Sequence, residues 1–213
     1  IIAVNNLCVF HILEKGKEIK DINSLRGKTV YTFGEGALPE YLIESILEKN
    51  GLKGSVNVKY VADYNEISAL VSDGKAETVM LPEPYAAMIE GMRYALDLAD
   101  EWEKVYETPF TQGVVVARAE YIEKNAEYIE TFLMQNEISV NYIIENTNAA
   151  PNLLSGMKSF ASPEEATAAL IGCNPRFIRG EEMKKAVSGT LDMLYQANPE
   201  LIGGNMPADE FYF

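Results

Sequence analysis

Two carboxylates, Glu35 and Glu83, sit in matching surroundings: each follows a short apolar run and stands a few residues or less before a proline placed to open a helix. Paired carboxylates can do general acid–base work, or accept hydrogen bonds and pair with a cation on a ligand. Gly34 and Gly36 flank Glu35, and a glycine loop entering a helix turns backbone N–H groups toward a small molecule. The remaining chemical inventory is thin. The one histidine, His11, lies in an apolar stretch and reads as a core residue. Cys8 and Cys173 fall at no metal or redox spacing and read as small buried hydrophobes. GEGALP is not a phosphate-binding loop, and no Ser/His or Cys/His constellation is evident. Binding is therefore the stronger reading and catalysis the weaker, with no cofactor, no metal and no catalytic residue expected.

These residues need strands and helices to carry them. The stretch 28–41, KTVYTFGEGALPEY, reads as a strand, a glycine loop and a helix start. Leu42, Ile43, Ile46 and Leu47 give that helix an apolar face, and Asn50-Gly51 closes it. A strand over 56–61, a helix capped by Asn65 and a strand over 78–81 follow. The last runs into Pro82-Glu-Pro-Tyr85, where Pro84 suits a first helical turn and the earlier device is repeated. A further strand covers 94–98. The order β, α, β, α, β, α, β between 28 and 98 is that of a small doubly wound lobe, whose ligands bind at the carboxyl ends of strands.

The flanks differ in character. Residues 1–13 read as a buried strand pair or one bent strand broken at Asn5-Asn6, and 100–111 as an irregular return crossing that holds Trp102 in packing. A strand over 112–117 leads to a long helix over 119–146, and further helices open at Pro163 and around Met183, before a loop-like tail over 199–213. Only two strands accompany these helices, so strands preceding residue 1 are expected to complete their sheet.

The formal net charge of −14 argues against nucleic acid or an anionic membrane surface as partner, since both select clustered Lys and Arg. No apolar run approaches the roughly 20 residues of a spanning helix, and the first residues lack the basic and small-residue pattern of a signal peptide.

Five stretches carry a family resemblance: 22–52, 76–88 (AETVMLPEPYAAM), 98–104 (LADEWEK), 111–125 (TQGVVVARAEYIEKN) and 177–213. In this order they resemble the solute-binding components of ABC importers in the nitrate, sulfonate, taurine and thiamine-precursor superfamily. The resemblance implies an α/β, two-lobed type II periplasmic-binding-protein fold with mixed sheets flanked by helices. Residues 1–27 would be a lobe 1 segment and crossing, 28–98 lobe 2, 99–111 the return crossing, and 112–213 the largely helical remainder of lobe 1. The opening of lobe 1, about 80 to 100 residues, has no counterpart, so lobe 1 is incomplete. An extracytoplasmic location is implied, with a small-molecule ligand, an ABC permease as partner, and a membrane attachment only through a lipid anchor outside this sequence.

By the same resemblance Thr32, Gly34, Glu35, Gly36 and Ala37 form the loop that meets ligand, while Glu83 and Pro84 belong to the second loop. Relatives often carry a threonine where this chain has Leu38, which removes a capping hydroxyl. With the added carboxylate of Glu35 this points from an anion toward a neutral or cationic ligand. Asn6 and Gln112, with Asn5 and Thr111, lie at the crossings, facing ligand or bonding hinge backbone. Two other classes share the fold: enzymes of menaquinone and aromatic biosynthesis, and effector domains of transcription regulators. A sensory role for a binding protein is also compatible with these residues.

Overall fold

The structure is a computed structural model that describes residues 1–156 and 162–213. The chain forms two compact units, a terminal unit of Ile1–Cys8 with Thr108–Phe213 and an inserted unit of Val9–Glu107. The terminal unit opens with strand β1 (Ala3–Leu7). The inserted unit then runs β2 (Phe10–Glu14), β3 (Thr29–Phe33), α1 (Leu38–Lys49), β4 (Asn57–Val61), α2 (Tyr64–Ser72), β5 (Thr78–Pro82), α3 (Tyr85–Met88), β6 (Arg93–Asp97) and α4 (Leu98–Tyr106). The chain returns through β7 (Thr111–Val115), α5 (Ala119–Lys124), α6 (Ala126–Glu145), α7 (Ala150–Gly156), α8 (Pro163–Gly172), β8 (Pro175–Ile178) and α9 (Gly180–Ala197).

The inserted unit is a five-stranded mixed sheet in the order β4-β3-β5-β2-β6. β3 pairs in parallel with β4 and β5, whereas β2 is antiparallel to β5 and β6. Side chains alternate between faces. Leu13, Val79 and Leu81 therefore meet Ile67 and Val71 of α2 and Ala86 of α3 on one side, in a single apolar cluster. α1 buries Leu42, Ile43, Ile46 and Leu47 and packs with α4. Trp102 of α4 is fully buried and stacks on Tyr106, as its packing role predicts.

In the terminal unit the sheet order is β7-β1-β8, with both pairings antiparallel. Val4, Leu7 and Ile178 pack on Met183 and Val187 of α9, while Ile2 and Ala3 pack on Ile129 and Leu133 of α6. Among the described residues no helix is long and apolar enough to cross a membrane.

The unit boundaries differ from the sequence reading. Residues 9–27 go with the inserted unit because β2 zips along β5 in unbroken register from Phe10↔Pro82 to Glu14↔Thr78. The break in the first strand falls at Cys8-Val9 rather than Asn5-Asn6, since β1 absorbs its asparagines through irregular pairing with Gly113 and Thr111. Glu14 then anchors the crossing: its buried carboxylate accepts the Ile19 N–H at 3.1 Å and pairs with Arg93.

Other elements differ for local reasons. Asp63, not Asn65, caps α2, its carboxylate accepting the Glu66 N–H at 3.1 Å. The expected irregular crossing over 100–111 is mostly helix α4, started by Asp97 accepting from Ala99 N–H at 2.8 Å and ended by Glu107 in the left-handed region. The long helix over 119–146 is two helices, because Asn125 leaves helical geometry and donates its side-chain amide to Tyr121 O. β8 is a strand that the sequence reading lacks.

Candidate functional site

Three parallel strands, β4, β3 and β5, end together at one edge of the inserted sheet, and each hands the chain to a helix. This is the edge where open α/β sheets present backbone N–H groups. After β3, Gly34 and Gly36 take positive φ values of 91° and 76°. A Cβ at Gly34 would also stand 3.1 Å from Pro39 Cγ, so the loop needs glycine there both for conformation and for space.

The start of α1 is open on the side-chain side and occupied on the backbone side. Its N-cap residue is Ala37, which offers no capping group, and Pro39 stands in the first turn. The Gly36 N–H is taken by the Glu40 carboxylate at 2.5 Å. The chain thus supplies its own anion where a helix start would favour one. Glu35, Gly36 and Ala37 are exposed, and Leu38 is half-buried. Thr32 is buried with its hydroxyl directed to Phe33 O at 3.4 Å, so its side chain is not displayed.

Tyr60, the β4 partner of Thr32, reports the local field. Its hydroxyl is buried without a hydrogen-bond partner. Burial pushes the phenol well above its ordinary value of 10.0, and the negative charges of Glu40, Glu44 and Glu35 push it further. Tyr64, at the start of α2, is raised by burial and by Glu90.

The second loop leaves β5 through a cis peptide between Glu83 and Pro84. The Glu83 side chain is fully covered. Its Oε1 accepts the Tyr94 hydroxyl at 2.6 Å and its Oε2 the Ala87 N–H at 3.2 Å, while its own N–H donates to Val9 O at 2.9 Å. His11 Nε2 lies 3.7 Å from the same Oε1 and makes no hydrogen bond, and its ring meets Tyr94 edge-on at 5.1 Å.

Thr32 through Leu38 and the Glu83-Pro84 turn are brought to one edge, joined where Tyr85 packs edge-on against Phe33 at 5.7 Å. Tyr85 also stacks on Tyr64 at 4.8 Å, so Phe33, Tyr64 and Tyr85 line the ends of all three strands. None of these aromatics was singled out from sequence, although a signal exists. Tyr64 and Tyr85 each stand three residues past the end of a strand, in the first turn of the next helix.

Asn6 and Gln112 belong to the terminal unit, in β1 and β7. Gly113 is the β7 partner of Asn6, and a Cβ there would meet Asn5 Oδ1 at 2.7 Å and Asn6 Oδ1 closer still. The Gln112 side-chain oxygen is buried and without a partner.

Residues 2–150 match the family described as NMT1/THI5 like. YtlA of Bacillus subtilis (strain 168) is 26% identical over 120 residues, an alignment covering 55% of this chain and 35% of YtlA. Among solved structures, an ABC transporter from Parabacteroides distasonis superposes with a TM-score of 0.79 at 21% identity, covering 100% of this chain and 73% of that one. The periplasmic aliphatic sulphonate binding protein SsuA from Escherichia coli gives a TM-score of 0.69 at 18% identity, over 92% of this chain and 63% of SsuA. The fold is also that of an enzyme, the desulfurization enzyme DszB, at a TM-score of 0.56 and 10% identity, over 93% of this chain and 72% of DszB. At these identities the structural likeness shows a periplasmic-binding-protein-like fold.

Proposed function

The chain belongs to the NMT1/THI5-like family, and on that premise we propose that it is the solute-binding component of an ABC import system for a neutral or cationic small organic molecule. The observation that carries the ligand charge is the state of the α1 start. Its Gly36 N–H already holds Glu40, and Glu35, Glu40 and Glu44 together make the field at Tyr60 negative. An anionic solute would enter against that field with a backbone donor already spent. A cation, or a ring bearing N–H donors, would gain from it.

In this reading the solute meets the edge formed by Gly34, Glu35, Gly36, Ala37 and Leu38, with Thr32 supporting the loop from behind. Glu83 and Pro84 shape the second loop, and Asn6 and Gln112 contribute from the terminal unit. The inserted unit acts as one lobe, lobe 1 closes over the solute by hinge motion, and the closed form docks on a permease at the outer face of the membrane, held there by a lipid anchor. The protein binds and does not turn over its ligand.

A thermal-shift screen tests this with alkanesulfonates, nitrate, pyrimidines, flavins and amines. A solute at 100 times its Kd stabilises the folded state by about 2.7 kcal/mol. Stabilisation by neutral or cationic compounds supports the proposal. Stabilisation by sulfonates or nitrate alone overturns the ligand charge, and chemical conversion of a stabilising compound overturns the assignment as a binder.

A further inference from the structure

Glu83 raises a charge-balance problem that the rest of the site does not. Its carboxylate is fully covered, and among the described residues His11 is the one basic side chain within ion-pair distance. A covered carboxylate held ionised without a cation is costly, and so is a covered imidazolium without an anion. The buried, unbonded Nε2 of His11, 3.7 Å from Oε1, is placed so that one proton answers both difficulties.

We propose that His11, once it carries a proton, forms a covered ion pair with Glu83 and that the two, with Tyr94, act as positioning residues that latch the 83–85 turn and so set where Tyr85 stands at the solute edge. The three groups come from separate elements: His11 from β2, Glu83 from the end of β5, and Tyr94 from β6. With the proton on His11, Glu83 is an anion held by an imidazolium, the Tyr94 hydroxyl and the Ala87 N–H. Loss of that proton at higher pH leaves the covered Glu83 anion with no cation beside it. The turn then keeps its hydrogen bonds to Tyr94, Ala87 and Val9 but loses its cation, and Tyr85 is the residue that moves, with its contacts to Phe33 and Tyr64.

The surrounding titratable groups do not offer His11 another partner. On β6, Asp97 is its register partner, but that carboxylate caps α4 by accepting from Ala99 N–H. On β5 the group is Glu83 itself, and on α3 it is Tyr85. α4 brings Glu101, which is paired with Lys104 at 2.6 Å. α2 brings Tyr64, stacked on Tyr85, and Glu66, whose carboxylate accepts the Ala62 N–H at 2.9 Å.

The role in solute binding rests on the proposal above that this edge meets the solute, but the latch itself is testable on the unliganded chain. His11 is the only histidine, so its imidazole gives one set of NMR signals that can be followed from about pH 9 to about pH 5, the range in which histidine changes charge. In the wild type, the ring signals of Tyr94 and Tyr85 should shift along the same one-proton curve as His11. In His11→Gln that curve should vanish from both tyrosines, and in Glu83→Gln His11 should titrate while Tyr85 stays still. Tyrosine signals that ignore the His11 curve in the wild type, or that follow the same curve in His11→Gln, overturn the latch. Those two proteins decide the matter even if Glu83→Gln does not fold. For a solute found in the screen, affinity should change at least about threefold across the curve in the wild type and stay flat in His11→Gln. Flat wild-type affinity beside coupled ring signals overturns the positioning role alone. If none of the compounds binds, the functional reading fails while the NMR result stands.

Discussion

Replacing Ala37 by serine sets the stability of the α1 start against its use. Ala37 occupies the N-cap with extended φ and ψ of −121° and 178°, the geometry in which a serine hydroxyl accepts a backbone N–H from the first turn. A cap ordinarily reaches the second or third helical residue. Here the second is Pro39, which has no N–H, so only Glu40 N–H remains, and it already bonds Ala37 O at 3.0 Å. The gain should therefore lie in the lower part of the usual capping range, about 0.5 to 1 kcal/mol. In a unit of about 100 residues that raises the Tm by roughly 2 to 8 °C. The assay is thermal and urea unfolding of the Ala37→Ser chain with and without a solute from the screen. If the open cap is part of the solute edge, the new hydroxyl raises the stability of the free protein and lowers the increment the solute adds. A variant that gains no stability refutes the account of the cap. One that gains stability and keeps the full solute increment refutes the placement of the solute there.

Tyr60→Phe removes a buried hydroxyl with no partner, and should stabilise the free protein by about 1 kcal/mol, read by chemical denaturation. The same residue carries a pH signature. Its folded-state pKa is raised above 10.0, so its contribution to stability is complete below pH 10 and is lost as the unfolded chain ionises first at higher pH. Wild-type stability should fall above pH 10 more steeply than that of Tyr60→Phe, and equal slopes would sink the assignment. Arg93→Ala strips the cation from the buried carboxylate of Glu14, which keeps only backbone donors. Because Arg93 is itself partly exposed, a loss of about 2 kcal/mol is expected in urea unfolding. Gly113→Ala places a methyl against Asn5 and Asn6, and should destabilise the terminal unit by about 1 to 3 kcal/mol, seen as an earlier unfolding transition.

What could be read from the sequence was what is decided within a few residues. The β3–α1 device was legible because strand alternation, two glycines and a proline all act locally, and the apolar face of α1 repeats with helical spacing. Helix α4 was not, because Asp100, Glu101, Glu103 and Lys104 mask an apolar stripe reduced to Leu98, Ala99 and Trp102. β8 was missed for a different reason: four residues among helices acquire strand character only by pairing with β1, some 170 positions earlier. A second non-local pairing, β2 with β5, moved residues 9–27 into the inserted unit. At the edge, the carboxylates, glycines and prolines of the two loops stood out by their types, and Thr32, Ala37 and Leu38 only through the family resemblance. The burial of Glu83, the approach of His11 and the aromatic edge depend on β2, β5 and β6 lying side by side, and no local pattern carries that information.

The pairing of β1 with β7 has a bearing on how the chain is made. Leu7 pairs with Thr111, and Cys8 N–H donates to Phe110 O at 3.0 Å, so the inserted unit leaves and re-enters the terminal unit at neighbouring points of one sheet. During synthesis β1 emerges before its partners β7 and β8, which arrive about a hundred and about a hundred and seventy residues later. Closing so long a loop from a disordered chain carries an entropic cost that grows with its length. The inserted unit holds all its own strands and can fold before β7 has emerged. Once folded, it holds its two ends together and turns a distant pairing into a near one. The inserted unit thus acts as a template for the sheet it interrupts, and variants that slow its folding, Arg93→Ala among them, should delay assembly of a sheet they never touch.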